Sequence, residues 1–354
     1  MFEMIAYNLF IPLFNMEVDE NLLGKEFINN FVILPSSDIL YELEKFIFAN
    51  DSFTMTFIKD ITQNGPNKWL MHPYAKYVLF KTITLPDDDD DTILEIKAHY
   101  KKVIDKILLS LRLISDAYCQ VNNLYLLANG YSIITAMQSS SQIENITINH
   151  HSYQGSLLVE NLYHLTENIF IDAQKEFDII DKLDKKIISI PSTYFHKCYN
   201  SQTPSDKILN LAIVLESTML AGKNQELNYR LFLRTSAFLE QNVKKLLETF
   251  YTFRSEIVHN GTVPDFTCKK GKKDIYDTLV KITGLERNDC TELIFYFIKD
   301  HIEPIVRKIL KKSFNIFATN KKIKTYEDLN VQIEKFIIEK ISTGFNIDEC
   351  LNPL

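Results

Sequence analysis

From about residue 159 to residue 342, apolar residues recur at helical spacing and are broken by signals that start and stop helices. This restricts that part of the chain to helices packed on helices. The clearest start is Thr203-Pro204-Ser205-Asp206: an N-cap, a proline at the first helical position and an acid in the first turn. The helix that follows carries Ile208, Leu211, Leu215 and Met219 on one face and stops at Gly222. A second helix is expected from Gln225 to Glu240. A third runs from Asn242 to Val258, ending at His259-Asn260-Gly261. A loop with Pro264 and the cluster Lys269-Lys270-Gly271-Lys272-Lys273 comes next. Further helices are expected over Asp274–Thr283, over Asp289–Phe314 with a kink at Pro304, and over Tyr326–Ser342. Residues 187–200 contain Pro191 and a polar run, and by composition they read as a linker.

The front of the chain follows different rules. Ala6–Phe14, Phe53–Ile58 and Tyr74–Leu85 are β-like runs, and a helix is expected over Asp38–Ala49. Thr92 to Tyr118 carries Ile96, Val103, Ile107, Leu111 and Ile114 at helical spacing, whereas residues 125–158 return to β-branched residues and turn formers. The fold class is therefore α+β: a mixed α/β-strand domain over 1–175, an all-α bundle over 176–318, and a helical extension over 319–354. A length of 354 residues at about 150 per domain agrees with more than one domain.

Charge separates the same two regions. The net charge of −7 is, as a single number, a poor match to a nucleic-acid-binding protein. Residues 1–200, however, hold 16 Lys and Arg against 26 Asp and Glu, and residues 201–354 hold 23 against 20. The acidity belongs to the front, including the run Asp87–Asp91, which reads as a solvated loop. The five cysteines are scattered and never form a CxxC pair, so reduced thiols in a cytoplasmic protein are expected rather than a disulfide framework or zinc site. His150-His151 and His196-x-Cys198 lack further ligands at metal spacing; no metal and no cofactor are expected. The opening MFEMIAYNLFIPLF has no basic n-region, and no window of about 18 uncharged apolar residues marks a membrane span. The sequons at Asn145 and Asn260 are read as chance matches.

Chemistry gathers at the end of the third helix, Tyr251-Thr252-Phe253-Arg254-Ser255-Glu256-Ile257-Val258-His259-Asn260-Gly261. Leu246, Phe250, Phe253 and Ile257 form a core stripe, and Arg254 lies about 40° from Phe250, at its margin. A guanidinium there needs a partner to offset desolvation. His259 falls about 140° from Arg254 on an ideal helix. The two can share a site only if the helix end unwinds or a second copy completes it. Arg-x4-His is weak alone, but only six of the 39 basic residues are Arg, and three of those six lie within residues 230–254. Arginine suits bidentate, permanent contact to phosphate or carboxylate. Glu226, Arg230 and Arg234 share one face at i, i+4, i+8, either as an intrahelical salt-bridge ladder or as support for the site.

Three blocks carry a family resemblance: Leu211-Ala212-Ile213-Val214-Leu215-Glu216-Ser217; Glu226-Leu227-Asn228-Tyr229-Arg230-Leu231-Phe232-Leu233-Arg234; and Phe253 through Gly261. In order and spacing they resemble the HEPN domain of ApeA-like anti-phage proteins. Ile305-Val306-Arg307-Lys308-Ile309-Leu310 is similar to that domain's closing helix, and Phe10-Ile11-Pro12-Leu13-Phe14-Asn15 resembles the domain that precedes it. The resemblance implies that residues 187–200 are the bundle's first helix rather than a linker. It implies a metal-independent endoribonuclease with Arg254 and His259 as the catalytic pair, in a homodimer whose two motifs meet. Ser255 stands where Asn, Asp or His is common in the family, and Ser255 and Asn260 are read as supporting residues.

The residues suit that chemistry on their own terms. RNA is cut without metal when its 2′-hydroxyl attacks the adjacent phosphorus. A base must take the hydroxyl proton, an acid must protonate the leaving 5′-oxygen, and positive charge must meet the non-bridging oxygens. Histidine serves either proton-transfer role and arginine supplies fixed charge. Lys269, Lys270, Lys272 and Lys273 are candidates to hold RNA phosphates, or else a solvated basic loop. Arg307, Lys308, Lys311 and Lys312 read as a basic helix end favourable to the helix dipole. The expected setting is defence by abortive infection, with tRNA or another host RNA as substrate. The front domain is expected to restrain the nuclease or sense a phage-derived trigger or inhibitor. The rival reading is a catalytically silent HEPN module that binds RNA or a partner protein.

Overall fold

The computed structural model describes residues 4–13, 15–38, 76–86, 90–115, 119, 121, 123–128, 133–138, 162–201, 203–222, 227–261, 273–285 and 290–342. The chain divides into two compact units, Met1–Asp181 and Lys182–Leu354.

The first unit is α+β. Strands β1 (Met4–Leu13), β2 (Met16–Val18), β3 (Val32–Pro35) and β4 (Tyr77–Pro86) precede helix α1 (Asp90–Ile114). Strands β5 (Asn123–Ala128), β6 (Ile133–Gln138) and β7 (Tyr163–Leu165) and helix α2 (Glu167–Asp181) follow. Five strands form an antiparallel sheet in the order β3-β4-β1-β5-β6. Strand β1 is central and pairs along its whole length with β4, Leu9 opposite Lys81 and Phe10 opposite Phe80. Its alternation sets the core: Tyr7, Leu9, Ile11 and Leu13 are buried in one cluster with Ile96, Val103, Ile107 and Leu111 of α1. Ile114, expected on the same stripe, is only partly buried against it. Strands β2 and β7 form a separate parallel pair, and Tyr163 Oη donates to the Leu111 carbonyl, tying that pair to α1. The run Phe53–Ile58 and nearly all of the helix expected over 38–49 lie outside the described residues. Helix α2 runs through positions 175 and 176, and the units divide after it.

The second unit is helical. Helix α3 (Lys185–Asn200) is capped by Asp184, whose carboxylate accepts from the Lys186 backbone N–H. The stretch that composition reads as a linker is therefore helix, with Pro191 buried inside it. Helix α4 (Pro204–Met219) starts at the Thr203 cap, whose Oγ1 accepts from the Asp206 backbone N–H at 3.1 Å. Its residues Ile208, Leu211, Ala212, Val214, Leu215 and Met219 are all buried, and being apolar over most of its circumference it forms the centre of the unit. Helices α5 (Leu227–Leu239) and α6 (Lys244–Asn260) pack on it, followed by α7 (Lys273–Thr283), α8 (Cys290–Phe297), α9 (Glu303–Thr319) and α10 (Tyr326–Ser342). Helix α10 packs on α4 and α5 within this unit. Cys119 in the first unit and Cys198 in the second are buried free thiols.

The long helix expected over 289–314 is two helices joined by a π turn, Ile298–Ile302. The backbone stays helical through this turn, with Phe297 and Glu303 on either side of it both right-handed, and Pro304 follows directly as the second residue of α9. The wider turn before it takes up the crowding that the proline ring creates against the preceding carbonyls. The basic quartet also changes meaning, because α9 continues to Thr319 and the quartet is not a helix end. Arg307 turns inward, and Lys312 donates to the Phe238 carbonyl at the end of α5.

Candidate functional site

Helix α6 positions the motif. Phe250, Phe253 and Ile257 are buried as the stripe predicts, but Leu246 is only partly buried and Leu247 fills the core instead; Phe253 meets Phe297 with ring centroids 6.0 Å apart. The helix does not unwind before His259. It continues to Asn260 and ends at Gly261, which adopts φ +76° and donates its N–H to the Ile257 carbonyl at 2.8 Å. A left-handed cap of this kind stops a helix at the Asn-Gly pair instead of opening it before the histidine, so of the two alternatives unwinding fails.

A regular helix fixes where the motif's side chains emanate. Arg254 leaves α6 about 40° from Phe250, on the packed side; His259 leaves about 180° from Phe250, in the middle of the open side. The two are about 140° apart and about 7.5 Å apart along the axis. His259, Ser255 and Thr252 are all exposed and share that open side. Ser255, next to the arginine in sequence, thus lies on the histidine's face. Asn260 Nδ2 is tied back one turn, donating to Glu256 Oε2 at 2.8 Å. Val258, 54% exposed, flanks His259.

The partner that Arg254 needs is Glu216 on α4, with Nη2 3.2 Å from Oε1. The pair is half-buried, its side chains 37% and 32% exposed. Tyr251, one turn before Arg254 on the same side of α6, is only 8% exposed. Burial raises its phenol pKa, the Glu216 carboxylate raises it further, and the Arg254 guanidinium opposes them. The Tyr251 hydroxyl touches the Glu216 carboxylate, and that contact adds to the rise, yet it completes no hydrogen bond of normal geometry among the described residues. Glu216 and Tyr251 were not singled out by sequence. The available signal was Glu216 itself, the only charged residue between Ile208 and Gly222 of an otherwise apolar helix.

The ladder alternative rests on Glu226, which lies outside the described residues; Arg230 and Arg234 themselves reach beyond their own helix. Both converge on Glu334 of α10: Arg230 Nη1 at 2.9 Å and Arg234 Nη2 at 2.6 Å from Oε1. Arg234, 1% exposed, also donates to the Met219 carbonyl at the end of α4. The pair therefore clamps α5, α4 and α10 together. Glu226, Lys269, Lys270 and Lys272 lie outside the described residues. Lys273 begins α7, and its side chain is not among those described.

A second charged group joins α3 to α9. Tyr199 donates to Glu303, and Arg307 binds the same carboxylate at i+4. Burial pushes the Tyr199 phenol well up, with Glu303 adding to it and Arg307 opposing. Burial works against the charged form of Arg307, but Tyr199 and Glu303 outweigh it and raise its pKa.

In the first unit, a shallow cleft of about 510 Å³ lies between β4 and α1, lined by Lys81, Ile83, Glu95, Ile96, His99 and Tyr100 among others. Lys81 Nζ sits over the Phe31 and Tyr100 rings and donates to the Asn29 carbonyl at 2.7 Å; burial lowers its pKa.

Among the described residues, no group of three or more His, Cys, Asp or Glu could hold a metal ion, and no helix is long and apolar enough to cross a membrane. No protein-family model, curated protein or solved structure matches the chain.

Proposed function

We propose that the chain is a metal-independent endoribonuclease of the ApeA-like HEPN type, acting as a homodimer in the cytoplasm to cut tRNA or another host RNA during phage infection. The observation that carries this reading is the end of α6, where a partnered arginine and an exposed histidine stand on opposite sides of an unbroken helix. One chain brings one imidazole to its open face. A two-fold copy supplies the second imidazole and the second guanidinium that the reaction needs. One His259 then takes the 2′-hydroxyl proton as that oxygen attacks phosphorus. The other donates a proton to the 5′-oxygen as the P–O5′ bond breaks, and Arg254 stabilises the charge gathering on the non-bridging oxygens. The products carry 2′,3′-cyclic phosphate and 5′-hydroxyl ends. Lys269 to Lys273 follow the motif and would track the RNA backbone. The acidic front unit, with its cleft at Lys81, would restrain the nuclease or receive the phage-derived trigger.

The test is incubation of the purified protein with total RNA in the presence of EDTA. Wild type should release fragments with cyclic phosphate ends. Arg254→Ala and His259→Ala should remain folded and cut at least about 100-fold more slowly. Fragments with 3′-hydroxyl ends, or a strict need for Mg²⁺, overturn the mechanism. The position of Ser255 on the open face, away from Arg254, favours the second reading, a silent module. That reading predicts RNA or partner binding with no cleavage by any of the three proteins.

A further inference from the structure

We infer that Glu216 has two alternative partners, and that it passes from the Arg254 guanidinium to the Tyr251 hydroxyl when an RNA phosphate takes the arginine. This rests on the reading of Arg254 as a phosphate-binding residue, and it adds the device that releases the arginine for that work.

The starting point is an unfinished group. The Tyr251 hydroxyl is buried, and no hydrogen-bond partner of normal geometry is found for it among the described residues. A buried polar group left this way is destabilising, so its donor is available to any acceptor that comes within reach. The acceptor in reach is the Glu216 carboxylate, which already touches the hydroxyl without completing a bond of normal geometry, while its Oε1 lies 3.2 Å from Arg254 Nη2. Tyr251 and Arg254 stand three positions apart on α6, and Glu216 of α4 meets both, the arginine as an ion pair and the hydroxyl as an incomplete contact. A carboxylate so placed exchanges partners by side-chain rotation alone.

The energetics favour the exchange only when Arg254 has somewhere else to go. A half-exposed ion pair is weak, because water competes for both charges. A hydrogen bond from a buried neutral hydroxyl to a carboxylate is stronger, and it also removes the penalty of the orphaned donor. Without RNA, however, leaving Arg254 would strand a guanidinium beside the apolar stripe. An arriving phosphate supplies the missing counterion and at the same time repels the Glu216 carboxylate. Both effects drive Glu216 toward Tyr251. The raised pKa keeps the phenol protonated and therefore a donor. Tyr251 is a positioning residue in this scheme: it touches Glu216 and not the RNA.

The experiment is a double-mutant cycle on the full chain, in a His259→Ala background that leaves RNA uncut, with binding of fluorescently labelled bulk tRNA as the readout. Tyr251→Phe should weaken binding about tenfold when Glu216 is present, and by less than about twofold when Glu216→Ala is also made. Glu216→Ala alone should tighten binding severalfold, because it removes the competitor for Arg254. A purely structural role for the tyrosine predicts the same effect of Tyr251→Phe in both backgrounds, and that result overturns the inference. So does no effect in either background. Weaker binding by Glu216→Ala overturns it too, since the glutamate would then be holding the arginine in its working position. A protein that neither binds nor cuts any RNA defeats the functional reading itself, a failure visible in the parent before any Tyr251 variant is made.

Discussion

Two groups of one tyrosine, one glutamate and one arginine stand in the helical unit, and they are finished differently. In the group of Tyr199, Glu303 and Arg307 the phenol donates to a buried carboxylate that the guanidinium holds from one turn away, although Arg307 Nε finds no partner among the described residues. Tyr251, Glu216 and Arg254 are open. Their ion pair is half-exposed and the phenol has no completed bond among the described residues. The same three residue types thus lock two helices through a completed phenol–carboxylate bond in one place and leave that bond incomplete in the other.

The largest expected difference is in stability. Glu303→Ala strands Arg307 and Tyr199 without their shared carboxylate and should cost about 3–5 kcal/mol in urea unfolding. Glu216→Ala removes half of an exposed pair and should cost less than about 1 kcal/mol. Equal losses would erase the distinction between the two groups. The tyrosines should differ next. Tyr199→Phe breaks a charge-assisted bond worth about 1.5–3 kcal/mol, whereas Tyr251→Phe removes an orphaned donor and should leave stability unchanged or slightly raised. A destabilised Tyr251→Phe protein would show that its hydroxyl is bonded after all.

Alkaline pH provides a smaller and sharper comparison. Both phenols are raised above their ordinary pKa. The folded protein therefore keeps these two protons at a pH where the unfolded chain, titrating near 10, has lost them. The resulting stability is fully present below about pH 10 and falls above it, by about 1.4 kcal/mol per pH unit for each phenol. Each Tyr→Phe variant should flatten that slope by one proton relative to wild type. A variant with an unchanged slope identifies a phenol that is not buried. Lys312→Met, which removes the donor to the Phe238 carbonyl at the end of α5, should cost about 0.5–1.5 kcal/mol in the same unfolding measurement, well short of Glu303→Ala.

Much of the architecture was legible because its signals are local. The Thr203-Pro204 start, the stripe of α1 and the alternation of β1 each depend on residues within a few positions of one another. What escaped was of two kinds. Boundaries set by backbone geometry were misread, since Gly261 caps α6 after His259 rather than loosening it, and Ile298–Ile302 widens into a π turn where Pro304 alone was seen. Partners distant in sequence were invisible: Glu334 lies 104 positions from Arg230, and nothing near either residue announces the other. At the candidate site, the arginine's need for a partner could be read, but its identity could not. The histidine's separation from it was correct as helical arithmetic and needed only an intact helix to become a fact of the molecule.

The π turn has a further consequence. Such a turn holds one residue more than a regular helix would need over the same length. Deleting a single residue between Ile298 and Ile302 would remove that surplus and close the segment into a regular α-helix of nearly the same length, so α9 would keep its phase on the bundle. Glu303 and Arg307 would still meet Tyr199, and Lys312 the Phe238 carbonyl. A deletion between Arg307 and Lys312 has no surplus to absorb it and would turn every later residue of α9 by about 100°. The π turn is the place where this helix tolerates a change of length.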